Sequence, residues 1–220
     1  GGVPICWPWF GADPEGKGRP AHGFVRNRMW EVIETDLNSK GEVKVTLGLN
    51  DTPETQAIWP YSFQLRLVIT ISETLSLELM THNTGNQAFT ITQAFHTYFS
   101  VKDIHRATVT GLDGKSYLDK VDAGQQKQQS GDVKISSEVD RIYLDVSNDL
   151  IIRDEALNRQ IIIRSQGSQT AVVWNPWEKI AKEMADLLDD DYLHLLCVET
   201  TNAAADTILI QSGSQFSLIA

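Results

Sequence analysis

The chain is short of basic residues: 19 Lys and Arg stand against 29 Asp and Glu, a formal net charge of −10 over 220 residues. Nucleic acids and anionic membrane surfaces are recognised through clustered Lys and Arg, so this deficit argues against both as partners. A small anionic ligand stays open, because a few local arginines can override the global field. No apolar run approaches the roughly eighteen residues of a membrane span. The opening stretch "GGVPICWPWFG" does not read as a signal peptide, since it lacks a basic start and prolines interrupt it.

Cysteine is also scarce. Cys6 and Cys197 lie far apart, and they read as small reduced residues of a cytoplasmic protein rather than a disulfide. There is no phosphate-cradling Gly-rich loop, dinucleotide fingerprint, CxxC, HExxH or GxSxG. The histidines at 22, 82, 96, 105 and 194 lack metal-ligand spacing, which argues against metal catalysis.

What the chain has in abundance is period-two alternation. "VKVTLGL" (43–49), "FQLRLVITI" (63–71) and "LSLELMTHN" (75–83) each place apolar residues on one face, as half-buried antiparallel strands require. Similar segments follow at 89–95, 106–112, 141–146, 149–154, 160–165, 170–174, 193–199, 207–211 and 215–220. Turn residues such as Asp113-Gly114 punctuate them. So many closely spaced strands predict an all-β sandwich or barrel, with residues 1–220 as one domain.

One segment departs from this pattern. "NPWEKIAKEMADLLDDD" has a helical apolar face, which predicts a short helix near 176–188. Asn175 would cap it, Pro176 suits its first turn and Glu178 stands where a capping-box acid belongs. The polar run 122–132 reads as an exposed loop.

The candidate chemistry lies in polar residues set among apolar ones. His96, in "AFHTYFSV", can give or take a proton near neutrality, although a satisfied core histidine is the plainer reading. Glu199 closes "LLCVE"; burial would raise its pKa toward that of a useful base, and a solvent-facing strand end is the alternative. Arg26, with His22 upstream in "HGFVRN", suits an anionic or polyhydroxylated ligand or a structural ion pair. Asp140, in "EVDRIY", is a hydroxyl acceptor or a surface partner of Arg141. Trp174 and Trp177 could stack on sugars, but large aromatics are also the commonest core filler.

Taken together, "GGVPICWPWFG", "HGFVRN", "AFHTYFSV", "EVDRIYLDV", "VVWNPW" and "CVETTNA" closely resemble the glucose-6-phosphate 1-epimerase branch of the aldose 1-epimerase family, in the family's motif order and along the whole chain. The resemblance implies a galactose-mutarotase-like β-sandwich that interconverts anomers of hexose 6-phosphates. It implies His96 and Glu199 as the catalytic acid and base, and Arg26, Asp140 and His22 as substrate-binding residues. No metal or redox cofactor is implied; the partner is a small sugar phosphate, and a monomer is expected. A non-catalytic sugar-binding module and a mutarotase of free sugars are the rival readings. The family carries an Arg before the two opening glycines and further N-terminal strands, so a sheet with an exposed edge is expected here.

Overall fold

The computed structural model describes residues 2–220. The alternation builds the expected strands. Phe63–Ile71 and Leu75–Asn83 form as read, and from Leu77 to Asn83 every second side chain is buried. The chain divides into two compact units.

The first unit comprises residues up to Ile5 together with Ala94–Asp206. Its larger sheet is centred on Leu195–Asn202. On one side follow Thr170–Asn175, Val139–Tyr143, Ser116–Asp119 and the edge strand Gln125–Gln128. On the other, Leu195–Asn202 pairs with Tyr98–Ser100 and Gln93–Phe95. A second sheet runs in the order Val133–Lys134, Ala107–Thr110, Leu150–Asp154, Arg159–Ile163. One apolar cluster joins the two: Val109, Leu150 and Ile152 pack with Tyr143, Val173, Leu196 and Val198. This is sandwich packing, in which each sheet contributes alternate residues to a shared core.

The second unit comprises Cys6–Gln93 and Thr207–Ala220. Its antiparallel sheet runs in the order Gln215–Ile219, Leu75–Asn83, Phe63–Ile71, Val43–Asn50, Glu31–Leu37. All seven residues of the last strand are exposed, and it forms the sheet edge. Trp7 anchors an aromatic cluster, meeting Phe24, Trp59 and Phe63 at ring-centroid distances of 5.9, 5.1 and 4.5 Å.

Three elements differ from expectation. The helix spans Trp177–Glu183 rather than reaching 188. Beyond it Leu188 is exposed, so no packing sustains a further turn, and Asp189–Asp191 would oppose the helix dipole. Asn175 ends a strand instead of serving as the cap residue, yet its Oδ1 still accepts the Trp177 N–H at 2.8 Å. Glu178 pairs with Lys182 at 2.7 Å rather than closing a capping box. The polar run at 122–132 contains the strand Gln125–Gln128. A second helix, Pro53–Ile58, is held by a capping box between Thr52 and Thr55. Among the described residues no helix is long and apolar enough to cross a membrane.

Candidate active site

Strand register sorts the first unit's larger sheet into two faces. Val172 pairs with both Ile142 and Glu199, while Trp174 pairs with both Asp140 and Cys197. Residues two apart share a face, so Asp140, Ile142, Val172, Trp174, Cys197 and Glu199 all lie on one side. The alternate residues Tyr143, Val173, Leu196 and Val198 enter the core on the other. The run "LLCVE" thus divides its labour: Leu196 and Val198 hold the sandwich, and Glu199 is delivered to the opposite face.

His96 reaches the same place from a turn. Its own N–H donates to the Pro4 carbonyl at 3.0 Å, and the Thr97 N–H donates back to the Phe95 carbonyl at 2.9 Å. His96 is therefore the apex of a tight turn between Gln93–Phe95 and Tyr98–Ser100. Its Nε2 lies 3.5 Å from Glu199 Oε1. That is close enough for proton exchange after a slight adjustment and longer than a settled N–H···O bond. The imidazole stacks on Tyr98, with centroids 4.9 Å apart and planes at 15°.

Glu199 is almost completely buried. Burial pushes its carboxyl well above the usual carboxylate range, and the charge of Asp140 adds to the rise. Its Oε2 is buried without a hydrogen-bond partner among the described residues, while Oε1 addresses His96. Asp140 is itself raised, chiefly by burial, with Lys120 opposing the rise and Glu138 and Asp119 adding to it. The Cys197 thiol, fully buried, is held well above its ordinary value by burial and then by Glu199. It stays neutral on the floor of the site.

The remaining predicted residues belong to the second unit. Gly23 pairs with Trp7, and the Phe24 N–H donates to the Trp7 carbonyl at 3.1 Å. This joins the opening stretch to "HGFVRN". His22 takes a left-handed backbone, with φ of 65°. Its N–H donates to the Gly11 carbonyl at 2.7 Å, and its Nδ1 accepts the Gly11 N–H at 3.3 Å. Arg26 lies in the short turn Val25–Asn27 and is exposed; one guanidinium N–H reaches the Ala21 carbonyl at 3.2 Å.

The two tryptophans of "VVWNPW" part company. Trp177 packs against the core cluster, whereas Trp174 stands on the face with Glu199 and meets the His96 ring edge-on at 5.8 Å. Alternation could have separated Trp174 from Val173. Nothing in the sequence places it beside His96.

Comparison with known proteins agrees with this architecture. The aldose 1-epimerase family profile matches residues 1–219. An Escherichia coli K12 protein provisionally named glucose-6-phosphate 1-epimerase is 38% identical over 205 residues, covering 93% of this chain and 67% of that one. A protein of the same provisional name from Cenchrus ciliaris is 36% identical, covering 98% and 67% respectively. The crystal structure of a Salmonella typhimurium protein, provisionally described as a mutarotase, superimposes with a TM-score of 0.91 at 32% identity. That match covers 99% of this chain and 71% of the other. The chain thus spans about two thirds of the length of these sequence relatives.

Proposed function

Because the chain belongs to the aldose 1-epimerase family, we propose that it interconverts the α and β anomers of hexose 6-phosphates, glucose 6-phosphate first among them. The observation that carries this reading is the 3.5 Å approach of His96 Nε2 to Glu199 Oε1, both set on one face of a single sheet. A sugar-binding module has no need of a buried carboxylate facing an imidazole.

In the forward step the Glu199 carboxylate takes the proton of the C1 hydroxyl. The O–H electron pair becomes the second C1=O bond, the bond from C1 to the ring oxygen breaks, and His96 donates a proton to that oxygen. Rotation about C1–C2 presents the other carbonyl face. Closure runs in reverse: His96 recovers its proton from the attacking hydroxyl, and Glu199 returns its own to the carbonyl oxygen. Burial makes Glu199 a stronger base than a surface carboxylate, which is what removing a hydroxyl proton demands.

Asp140 is two strands and two residues away, about 12 Å between Cα atoms from standard sheet spacings. That span accommodates a pyranose, with Asp140 accepting from its hydroxyls. Arg26 and His22 bind substrate in this reading, and the exposed Arg26 guanidinium suits the 6-phosphate. The buried thiols of Cys6 and Cys197 suit a reducing cytoplasm.

Anomer exchange of glucose 6-phosphate, followed by NMR, tests the assignment. Glu199→Gln and His96→Asn should each slow enzyme-dependent exchange by roughly 100-fold or more. Unchanged exchange in both variants overturns the catalytic roles.

A further inference from the structure

Trp174 stands between the two ends of the site. In the sheet register it is opposite Asp140 on one side and Cys197 on the other, and Cys197 is opposite Tyr98. Its ring meets His96 and Tyr98 edge-on, at 5.8 and 5.9 Å and 75° in each case. The imidazole thus has a near-parallel ring stacked on it and a near-perpendicular ring beside it. Rotation of the imidazole plane would break one of these contacts, and aromatic pairs favour both geometries.

The backbone just after Trp174 is also fixed. Asn175, fully buried, donates to the Tyr192 and Leu195 carbonyls at 2.9 and 3.0 Å and accepts the Trp177 N–H at 2.8 Å. Trp177 takes a φ of 55°, a costly backbone for a bulky side chain and one that persists only where surroundings impose it. The turn after Trp174 is therefore tightly specified. The Trp174 indole N–H, like those of Trp59 and Trp177, donates to no described residue, whereas the indoles of Trp7, Trp9 and Trp30 each have an acceptor.

We propose that Trp174 is a positioning residue, clamping the His96 imidazole with Tyr98 in the orientation that faces Glu199 and offering its indole N–H to a sugar hydroxyl. This rests on the mutarotase reading above and adds a residue to it. The ring acts on the proton transfer, so its loss lowers kcat. The N–H acts on the bound sugar, so its loss raises KM.

The test uses the full chain with Trp174→Phe and Trp174→Leu, measuring glucose 6-phosphate exchange alongside His96 imidazole resonances identified by their disappearance in His96→Asn. Phe keeps an aromatic edge and loses the N–H; kcat should stay within about twofold while KM rises roughly 3- to 10-fold. Leu keeps apolar bulk without a ring; kcat should fall about 10- to 100-fold, since a small misplacement of a catalytic group has that effect. The imidazole signals should be single in the wild type and in the Phe variant, with a changed ring-current shift in the latter, and broadened in the Leu variant. Equal losses in the two variants, or a folded Leu variant with wild-type kcat and signals, overturn the proposal. Should the Leu variant fail to fold, His96 signals unmoved by Trp174→Phe overturn it instead. If exchange is absent from the wild type or unaffected by Glu199→Gln, the reaction assignment falls, and the imidazole signals still decide the clamp.

Discussion

Asp140 opposes the ionisation of Glu199 from two strands away on the same sheet face. Burial is the larger influence on Glu199, and the two act together. Ionised Glu199 is therefore held at the expense of fold stability, because a carboxyl that ionises easily in the unfolded chain resists ionising in the folded one.

This relationship sets a pH dependence. With the folded pKa of Glu199 above the unfolded value, the folded state binds the extra proton between the two. Its stability contribution is complete below the unfolded pKa and is lost as pH rises through the folded pKa. Glu199→Gln mimics the protonated form. It should match the wild type near pH 4 and melt roughly 2–4 °C higher by pH 8, the equivalent of about 1 kcal/mol at this size. Calorimetry across that range checks it, and a variant less stable at high pH would contradict the buried-carboxyl account.

If Arg26 binds the 6-phosphate as proposed, its loss separates the phosphosugar reaction from that of the free sugar. Among the described residues its guanidinium has one hydrogen bond, to the Ala21 carbonyl, and it lies exposed. A charge-assisted hydrogen bond to phosphate contributes about 1.5–3 kcal/mol. Arg26→Ala should therefore lower kcat/KM for glucose 6-phosphate roughly 10- to 100-fold and that for glucose by less than about threefold. Equal losses would point to a mutarotase of free sugars.

Gly23 has no tolerated substitute. Its φ is 73°, and an added Cβ would stand 1.8 Å from the Trp7 carbonyl oxygen, inside contact distance of a buried backbone. Gly23→Ala should cost roughly 2–4 kcal/mol in urea unfolding, since strain and a steric clash act together. It should also disturb His22, which adjoins Gly23 and bonds Gly11.

Much of this was legible from residue order. The strands at 63–71 and 75–83 follow from alternation, and Glu199 and His96 stood out as polar residues among apolar ones. Other elements left no periodic signal. Gln125–Gln128 is polar on both faces because it is an edge strand. Glu31–Leu37 has a register shift between Val32 and Glu34, which places two apolar residues in succession and hides the alternation. The 3.5 Å meeting of His96 with Glu199 depends on register between distant strands, which composition and local period do not encode. The Trp174 clamp was hidden for the same reason.

The sheet of the second unit yields a last prediction. Leu37, Val43, Ile71 and Leu75 pair successively across four strands, so they form one apolar row on one face. Toward the other end of this face Leu67, Leu79 and Leu218 are buried. The row itself is 67, 39, 50 and 57% exposed, respectively. A contiguous apolar patch beside an unpaired strand edge invites both dye binding and association. This chain should enhance the fluorescence of an apolar-surface dye while folded, and the double change Leu37→Thr with Ile71→Thr should reduce that signal by about half or more. Because these side chains are already largely in water, stability should change by less than about 0.5 kcal/mol per site. Sedimentation at increasing concentration should show less association in the double variant. Dye binding unaffected by the substitutions would place the apolar surface elsewhere.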